Sequence, residues 1–165
     1  MFSVGDMALD WSNTDFSGFR FETAACLGRG SVRGANFEDA RFIGSNTLIA
    51  CPDMTVEQIK STWNFKNREM RFHLGKTDLD WSGTDFSNFS FEWSNLDGAD
   101  VSGADFTNAM FYGFYSLEKC HGLTVDQIKS TRNYKTGYMD MKLPQEIADQ
   151  LRAEKQANNA TDSNS

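Results

Sequence analysis

Cysteine, histidine and basic charge are all scarce in this chain of 165 residues. Its three cysteines are an odd count without paired spacing, which excludes a disulfide scaffold and points to a reducing, cytoplasmic compartment. The two histidines, His73 and His121, are accompanied by no Cys-x-x-Cys and no helical His-x-x-x-His spacing. Neither a metal nor any other cofactor is expected. Acidic residues number 23 against 16 basic ones, a formal net charge of −7. That balance disfavours a broad surface for a phosphate backbone, so no direct nucleic-acid binding is expected, and it suits a protein partner with a basic surface. No run of about 18 apolar residues exists, so no membrane-spanning helix is expected. Residues 1–8 lack the basic start and long apolar stretch of a leader peptide. The segment GRGSVRG at 28–34 has glycines but not the Lys-Ser/Thr ending of a phosphate loop. Cys120 and His121 adjoin, yet adjacent side chains rarely point the same way and no third orienting group is evident. No enzyme is expected.

What the chain does have is repetition. Residues 9–22 read LDWSNTDFSGFRFE and residues 79–92 read LDWSGTDFSNFSFE, a match displaced by 70 positions. TVEQIKST at 55–62 returns as TVDQIKST at 124–131, displaced by 69. The chain is thus a tandem duplication with halves at about 5–75 and 76–144. Cys51 and Cys120 hold equivalent positions and read as buried thiols.

A shorter period of five runs inside each half. In the second, Trp81, Phe86, Phe91, Leu96, Val101, Phe106 and Phe111 follow one another without a slip. The first half gives Trp11, Phe16, Phe21 and Cys26, then a six-residue step to Val32, then Phe37 and Phe42. Small residues such as Ala99, Ala104 and Ala109 stand two places before several of these. Five is neither the 3.6 of an amphipathic helix nor the 2 of a strand. The surrounding Asp, Asn, Ser, Thr and Gly are turn residues. A chain that turns every five residues and sends one large apolar side chain inward satisfies both facts. Stacked circuits of four sides would pair through their backbones and line up these fourteen residues as a core stack.

The stretches GANFEDARF, SNLDGADVSGADFTNAMF and TDFSNFSFEWSNL resemble the pentapeptide-repeat family, whose unit is a small residue, Asp or Asn, Leu or Phe, and two variable residues. The likeness covers about 9–49 and 79–118. It implies an all-β solenoid, a right-handed quadrilateral β-helix, and a non-catalytic binding or scaffold role. It also raises two alternatives: a DNA-mimicking protein that protects a topoisomerase (gyrase) in bacterial quinolone resistance, and a secreted effector. Phe19 and Phe89 depart from the pattern, because they occupy the normally small position before Phe21 and Phe91. Phe114 lies similarly before Ser116.

The segments after Cys51 and Cys120 escape the rule of five. Thr55 with Gln58, and Thr124 with Gln127, match a capping box, which predicts helices at about 55–62 and 124–131. Lys60, Lys66, Lys129 and Lys135 are expected on their exposed sides. LPQEIADQLRAEKQ predicts a capping helix at about 144–156, which closes a single domain of 1–156, and 157–165 reads as a disordered tail. A monomer or an end-to-end homodimer is expected.

Residues 76–105 hold seven acids against one lysine. At four pentads per circuit, Asp80 falls beside Asp100 and Asp85 beside Asp105. These four aspartates, with Lys60 and Lys129 on the inserts, are the candidate partner-binding residues.

Overall fold

The structure, a computed structural model, describes residues 9–22, 30–43, 48–49, 51–70, 73–74, 78–92, 96–113 and 115–162. Its strands are very short: β1 (Arg20–Phe21), β2 (Arg41–Phe42), β3 (Leu48–Ile49), β4 (Glu69–Met70), β5 (His73–Leu74), β6 (Ser90–Glu92), β7 (Met110–Tyr112), β8 (Tyr115–Ser116) and β9 (Met141–Lys142). Between and after them lie helices α1 (Val56–Ser61), α2 (Trp63–Lys66), α3 (Val125–Ser130), α4 (Arg132–Thr136) and α5 (Gln145–Asp162).

Every strand pairing is parallel. β1 pairs with β2, β3 with β5, β4 with β6, β6 with β7 and β8 with β9. Isolated parallel bridges join Asp15 to Asn36, Asp80 to Asp100, Asp85 to Asp105 and Asp100 to His121. Partners lie 20 to 26 residues apart in sequence, the longer spans at β3–β5 and β8–β9, so each circuit of the chain hydrogen-bonds to the next, as in a β-helix-type fold.

The five-residue period follows from the corner chemistry. At each corner the carbonyl of the inward residue accepts from the N–H three places on, as Phe86 does from Phe89 at 3.1 Å and Val101 from Ala104 at 3.0 Å. The third residue of these two turns has positive φ, at 59° for Asn88 and 66° for Gly103. Glycine enters that region freely and Asn and Asp tolerate it, which accounts for the residue types found there. Before the turn, an Asp or Asn side chain accepts the N–H two residues on. Asp80 takes that of Ser82 and Asp100 that of Ser102, both at 2.9 Å. The side chain thus fixes the bend locally.

Of the fourteen expected stack residues, twelve are buried in one core cluster: Phe16, Phe21, Val32, Phe37, Phe42, Trp81, Phe86, Phe91, Leu96, Val101, Phe106 and Phe111. Trp11 is only partly buried against that cluster. Cys26 lies outside the described residues, as does Phe114. Neighbouring circuits stack their rings. Phe21 lies on Phe42 at 4.7 Å between centroids and Phe91 on Phe111 at 4.6 Å, each pair within 8° of parallel.

Helices α1 and α3 form where the capping boxes placed them, with both reciprocal bonds made at Thr55–Gln58 and at Thr124–Gln127. The glutamine side chains do a second job. Gln58 Nε2 donates to the carbonyls of Val32 and Ala35, and Gln127 Nε2 to those of Val101 and Ala104. Each helix start is thereby tied to the circuit before it.

α2 and α4 were not foreseen. Thr62 and Thr131 end one helix and cap the next, each hydroxyl donating to the preceding Ile carbonyl and accepting from N–H three residues on. Two residues after each threonine stands a buried asparagine that behaves as a piece of backbone. Asn64 Oδ1 accepts the Phe42 N–H at 2.7 Å and its Nδ2 donates to the Phe42 carbonyl at 2.8 Å. Asn133 does the same for Phe111 at 2.8 and 2.9 Å. The helical insert therefore continues the ladder although it contains no strand at that point.

On its other side the first insert begins the second block. β4 pairs with β6, and Phe65 lies 6.0 Å from Trp81 in a nearly parallel stack and 4.9 Å from Phe89. The first insert is thus a junction between two ring stacks.

α5 corrects the sequence reading at its far end. It runs to Asp162, so residues 157–162 are helical where a disordered tail was expected. No glycine or proline interrupts the stretch after Pro144, and its alanines offset the weaker propensity of its asparagines. Ile147 is buried by α5, while Leu143 and Leu151 are partly buried against the core.

Candidate interaction surfaces

The four candidate aspartates sit on corners, and the circuits bring them together in the expected pairs, Asp80 with Asp100 and Asp85 with Asp105. Asp80, Asp85 and Asp105 are exposed and Asp100 is half-buried. Each carboxylate accepts a backbone N–H of its own turn. Asp85 takes that of Ser87, and Asp105 that of Thr107, both at 2.8 Å. The Ser82 bonds hold the Asp80 carboxyl below its ordinary pKa, and the Ser102 bonds do the same for Asp100.

The stripe is not purely acidic. The Arg68 guanidinium reaches Asp85 Oδ2 at 3.0 Å and donates to Ser87, holding the Asp85 carboxyl far below the usual carboxylate range. Arg68 also lies over the Phe89 ring at 5.7 Å. His121 follows Asp100 in the ladder. The negative surface therefore centres on Asp80, Asp100 and Asp105, with Asp85 committed to a cation of its own chain. Sequence spacing alone could not find Arg68, because the five-residue rule stops at the insert.

Lys60 and Lys129 correct the expectation of exposed lysines. Both are half-buried. The Lys60 ammonium stands 6.0 Å over Trp81, and Lys129 forms an ion pair with Glu154 of α5. Lys66 and Lys135 are exposed as expected, although each reaches back to the preceding circuit, Lys66 to Asp39 at 2.9 Å and Lys135 to Asn108 at 2.8 Å. The helix starts leave Glu57 and Asp126 exposed.

The neighbouring Cys120 and His121 point apart. The Cys120 thiol turns inward and donates to the Leu96 carbonyl at 3.1 Å, while His121 is exposed. Burial, helped by nearby Asp97, pushes the Cys120 thiol up to about 12, which leaves no thiolate at neutral pH. Cys51 is fully buried, as expected for a residue that fills core space. Among the described residues no three His, Cys, Asp or Glu side chains converge on a possible metal position. No helix among them is long and apolar enough to cross a membrane.

The C-terminal end carries a groove of about 890 Å³ between α4 and α5, bordered by Tyr134, Met139, Met141, Leu143 and Leu151. The sequence reading placed no site there.

These parts define a repeat scaffold with a filled core, whose chemistry lies on its corners and at its ends. The model of the pentapeptide-repeat family, described as pentapeptide repeats in 8 copies, matches residues 77–113. Residues 77–113 are similar to that family's repeats by this match. No curated protein and no solved structure matches it.

Proposed function

We propose that the chain is a non-catalytic protein-binding module, built as a right-handed quadrilateral β-helix in one domain, that presents an acidic face to a basic partner in the cytoplasm. The observation that carries this reading is the pairing of Asp80 with Asp100 and of Asp85 with Asp105 on exposed corners. The fold needs an acceptor at such a corner but not a charge, because Asn36 makes the same turn bond to Glu38 N–H at 2.9 Å. Like charges side by side cost stability, so their presence where a neutral residue serves suits an electrostatic contact. The half-buried Cys120 thiol, pushed up by burial, supports the non-catalytic part of the reading, and as a free cysteine it suits a reducing compartment.

A DNA-mimicking topoisomerase protector is the second reading, favoured by the same stacked carboxylates. Arg68 and His121 break the run of negative charge and weigh against it.

The test replaces Asp80, Asp100 and Asp105 together by Asn, which keeps every turn acceptor. Binding to a basic polypeptide probe and inhibition of gyrase supercoiling are measured for both proteins at low and moderate salt. Binding that is salt-sensitive in the wild type and lost in the folded variant supports the acidic face. Equal binding by both removes it, and gyrase inhibition lost with the charges promotes the second reading.

A further inference from the structure

The chain leaves the second helix of each insert in the same way. Arg68 turns it out of α2 at φ 58°, and Gly137 turns it out of α4 at φ 75°. The displacement of 69 then sets Tyr138 and Met139 at the places of Glu69 and Met70, the two residues of β4.

In the first half the outer edge of that segment is filled. β4 pairs in parallel with β6, Glu69 opposite Ser90 and Met70 opposite Phe91. The Ser90 N–H donates to the Arg68 carbonyl at 2.8 Å, and Phe89 packs on Phe65 at 4.9 Å. Met70 is 0% exposed there.

In the second half α5 follows in place of a further circuit. Tyr138 and Met139 make no backbone hydrogen bond among the described residues. Tyr138 is 47% exposed, and Tyr134, at the place of Phe65, is 37% exposed. α5 stands off from this edge and leaves the groove of about 890 Å³ that Tyr134, Met139, Met141 and Leu151 border. Among the described lining residues, Lys142, Arg152 and Lys155 outnumber the acid Glu118. Arg152 is held by Asp149, while Lys142 and Lys155 form no ion pair among the described residues. An open backbone edge beside an apolar floor offers an added strand both main-chain bonds and side-chain burial.

We infer that this edge binds an extended segment of another protein by parallel strand addition, a segment with two aromatic residues one place apart and acids after them. The internal junction specifies that chemistry. Its occupant, Phe89 to Phe91, sets its first ring on α2 and its second opposite Met70. The same pattern on the open edge puts the first ring on Tyr134, the second opposite Met139, and the N–H between them on the Gly137 carbonyl. A strand laid in that direction runs on toward Lys142, which suits acids after the second ring. Gly137 lacks the guanidinium with which Arg68 holds Asp85, so the docked strand is held less firmly than β6.

The test is fluorescence anisotropy of a labelled peptide, SNFSFEDD, titrated with the full chain. The probe copies residues 87–92 and adds two acids. Saturable binding is expected. N-methylation of the serine between the phenylalanines is expected to weaken it at least about tenfold, because that N–H is the one aimed at Gly137. N-methylation of the second phenylalanine is expected to weaken it less than about threefold, since alternate N–H groups of a strand point to opposite edges. Tyr134→Ser is expected to cost about tenfold. Lys142→Glu combined with Lys155→Glu is expected to weaken binding at low salt and to flatten its salt dependence. All three side chains are exposed, so these variants are expected to keep the native circular dichroism. Benzoylphenylalanine in place of the first phenylalanine is expected to cross-link into residues 134–139 or α5. Cross-links into residues 63–70 place the peptide in the internal junction and overturn the inference. So do a lack of saturable binding, equal binding by the serine-methylated peptide, or indifference to Tyr134→Ser. A second copy is the rival occupant: a wild-type dimer in sedimentation velocity that the peptide does not split also overturns it.

Discussion

Asn64 and Phe42 exchange two hydrogen bonds, the side-chain amide of one accepting and donating to the backbone of the other as a neighbouring strand would. Asn133 and Phe111 repeat the arrangement in the second half. A side chain has taken over a peptide's function where the chain turns helical.

Asn64→Leu and Asn133→Leu are therefore expected to destabilise the fold by about 2–4 kcal/mol each, by removing two buried hydrogen bonds with no water to replace them. Urea unfolding checks this. A cost below about 1 kcal/mol would mean that the amide is not standing in for a strand.

Phe19 and Phe89 occupy equivalent positions, yet only Phe89 is covered by Phe65. Phe89→Ala is expected to cost about 3–5 kcal/mol, in the range of a fully buried ring. Phe19→Ala is expected to cost about 1 kcal/mol or less in dilute solution, where its ring is mostly in water. Paired denaturation curves measure both, and equal losses would contradict the assignment of the junction.

Asp85 and Arg68 give an acid-sensitive contact. The carboxyl pKa is depressed in the folded chain, so its stabilisation is present above the ordinary carboxylate value and fades as pH falls through the acid range toward the folded value. Wild type is expected to be more stable than Asp85→Asn at pH 7, with the gap closing below about pH 4. An NMR titration of Asp85 in Arg68→Ala should show the carboxyl rising toward its usual value. A titration that does not move would exclude Arg68 as the cause.

The Cys120 thiol is held at about 12 by burial, so it is expected to resist Ellman's reagent at pH 8 in the folded chain and to react once urea unfolds it. Fast labelling under native conditions would mean that Cys120 is open to solvent. Mass mapping separates its label from that of the other cysteines.

Much of the fold was legible because its rule is local. A corner needs an acceptor, a residue able to take positive φ, and a large apolar residue every fifth place, and all three are visible in Asp85, Asn88 and Phe86. The stacking of Asp80 beside Asp100 followed from counting. The capping boxes at Thr55 and Thr124 were equally local. What the sequence did not show depends on partners brought together by the circuits. Asn64 looks like any helix asparagine until Phe42 lies opposite it. Arg68 and Lys129 look like free surface charge until Asp85 and Glu154 meet them. Phe19 and Phe89 are alike in local sequence, and what covers the second is Phe65 of the insert that precedes it.

The parallel register has a kinetic consequence. Each pairing joins segments 20 to 26 residues apart, so every such contact closes a loop of similar modest length and none requires a distant segment to arrive first. Assembly can begin at any pair of adjacent circuits and spread in both directions. The junction formed by Asn64 and Phe65 is where growth from one half must cross into the other. Weakening it is therefore expected to split one cooperative transition into two, making the chain unfold as a pair of domains.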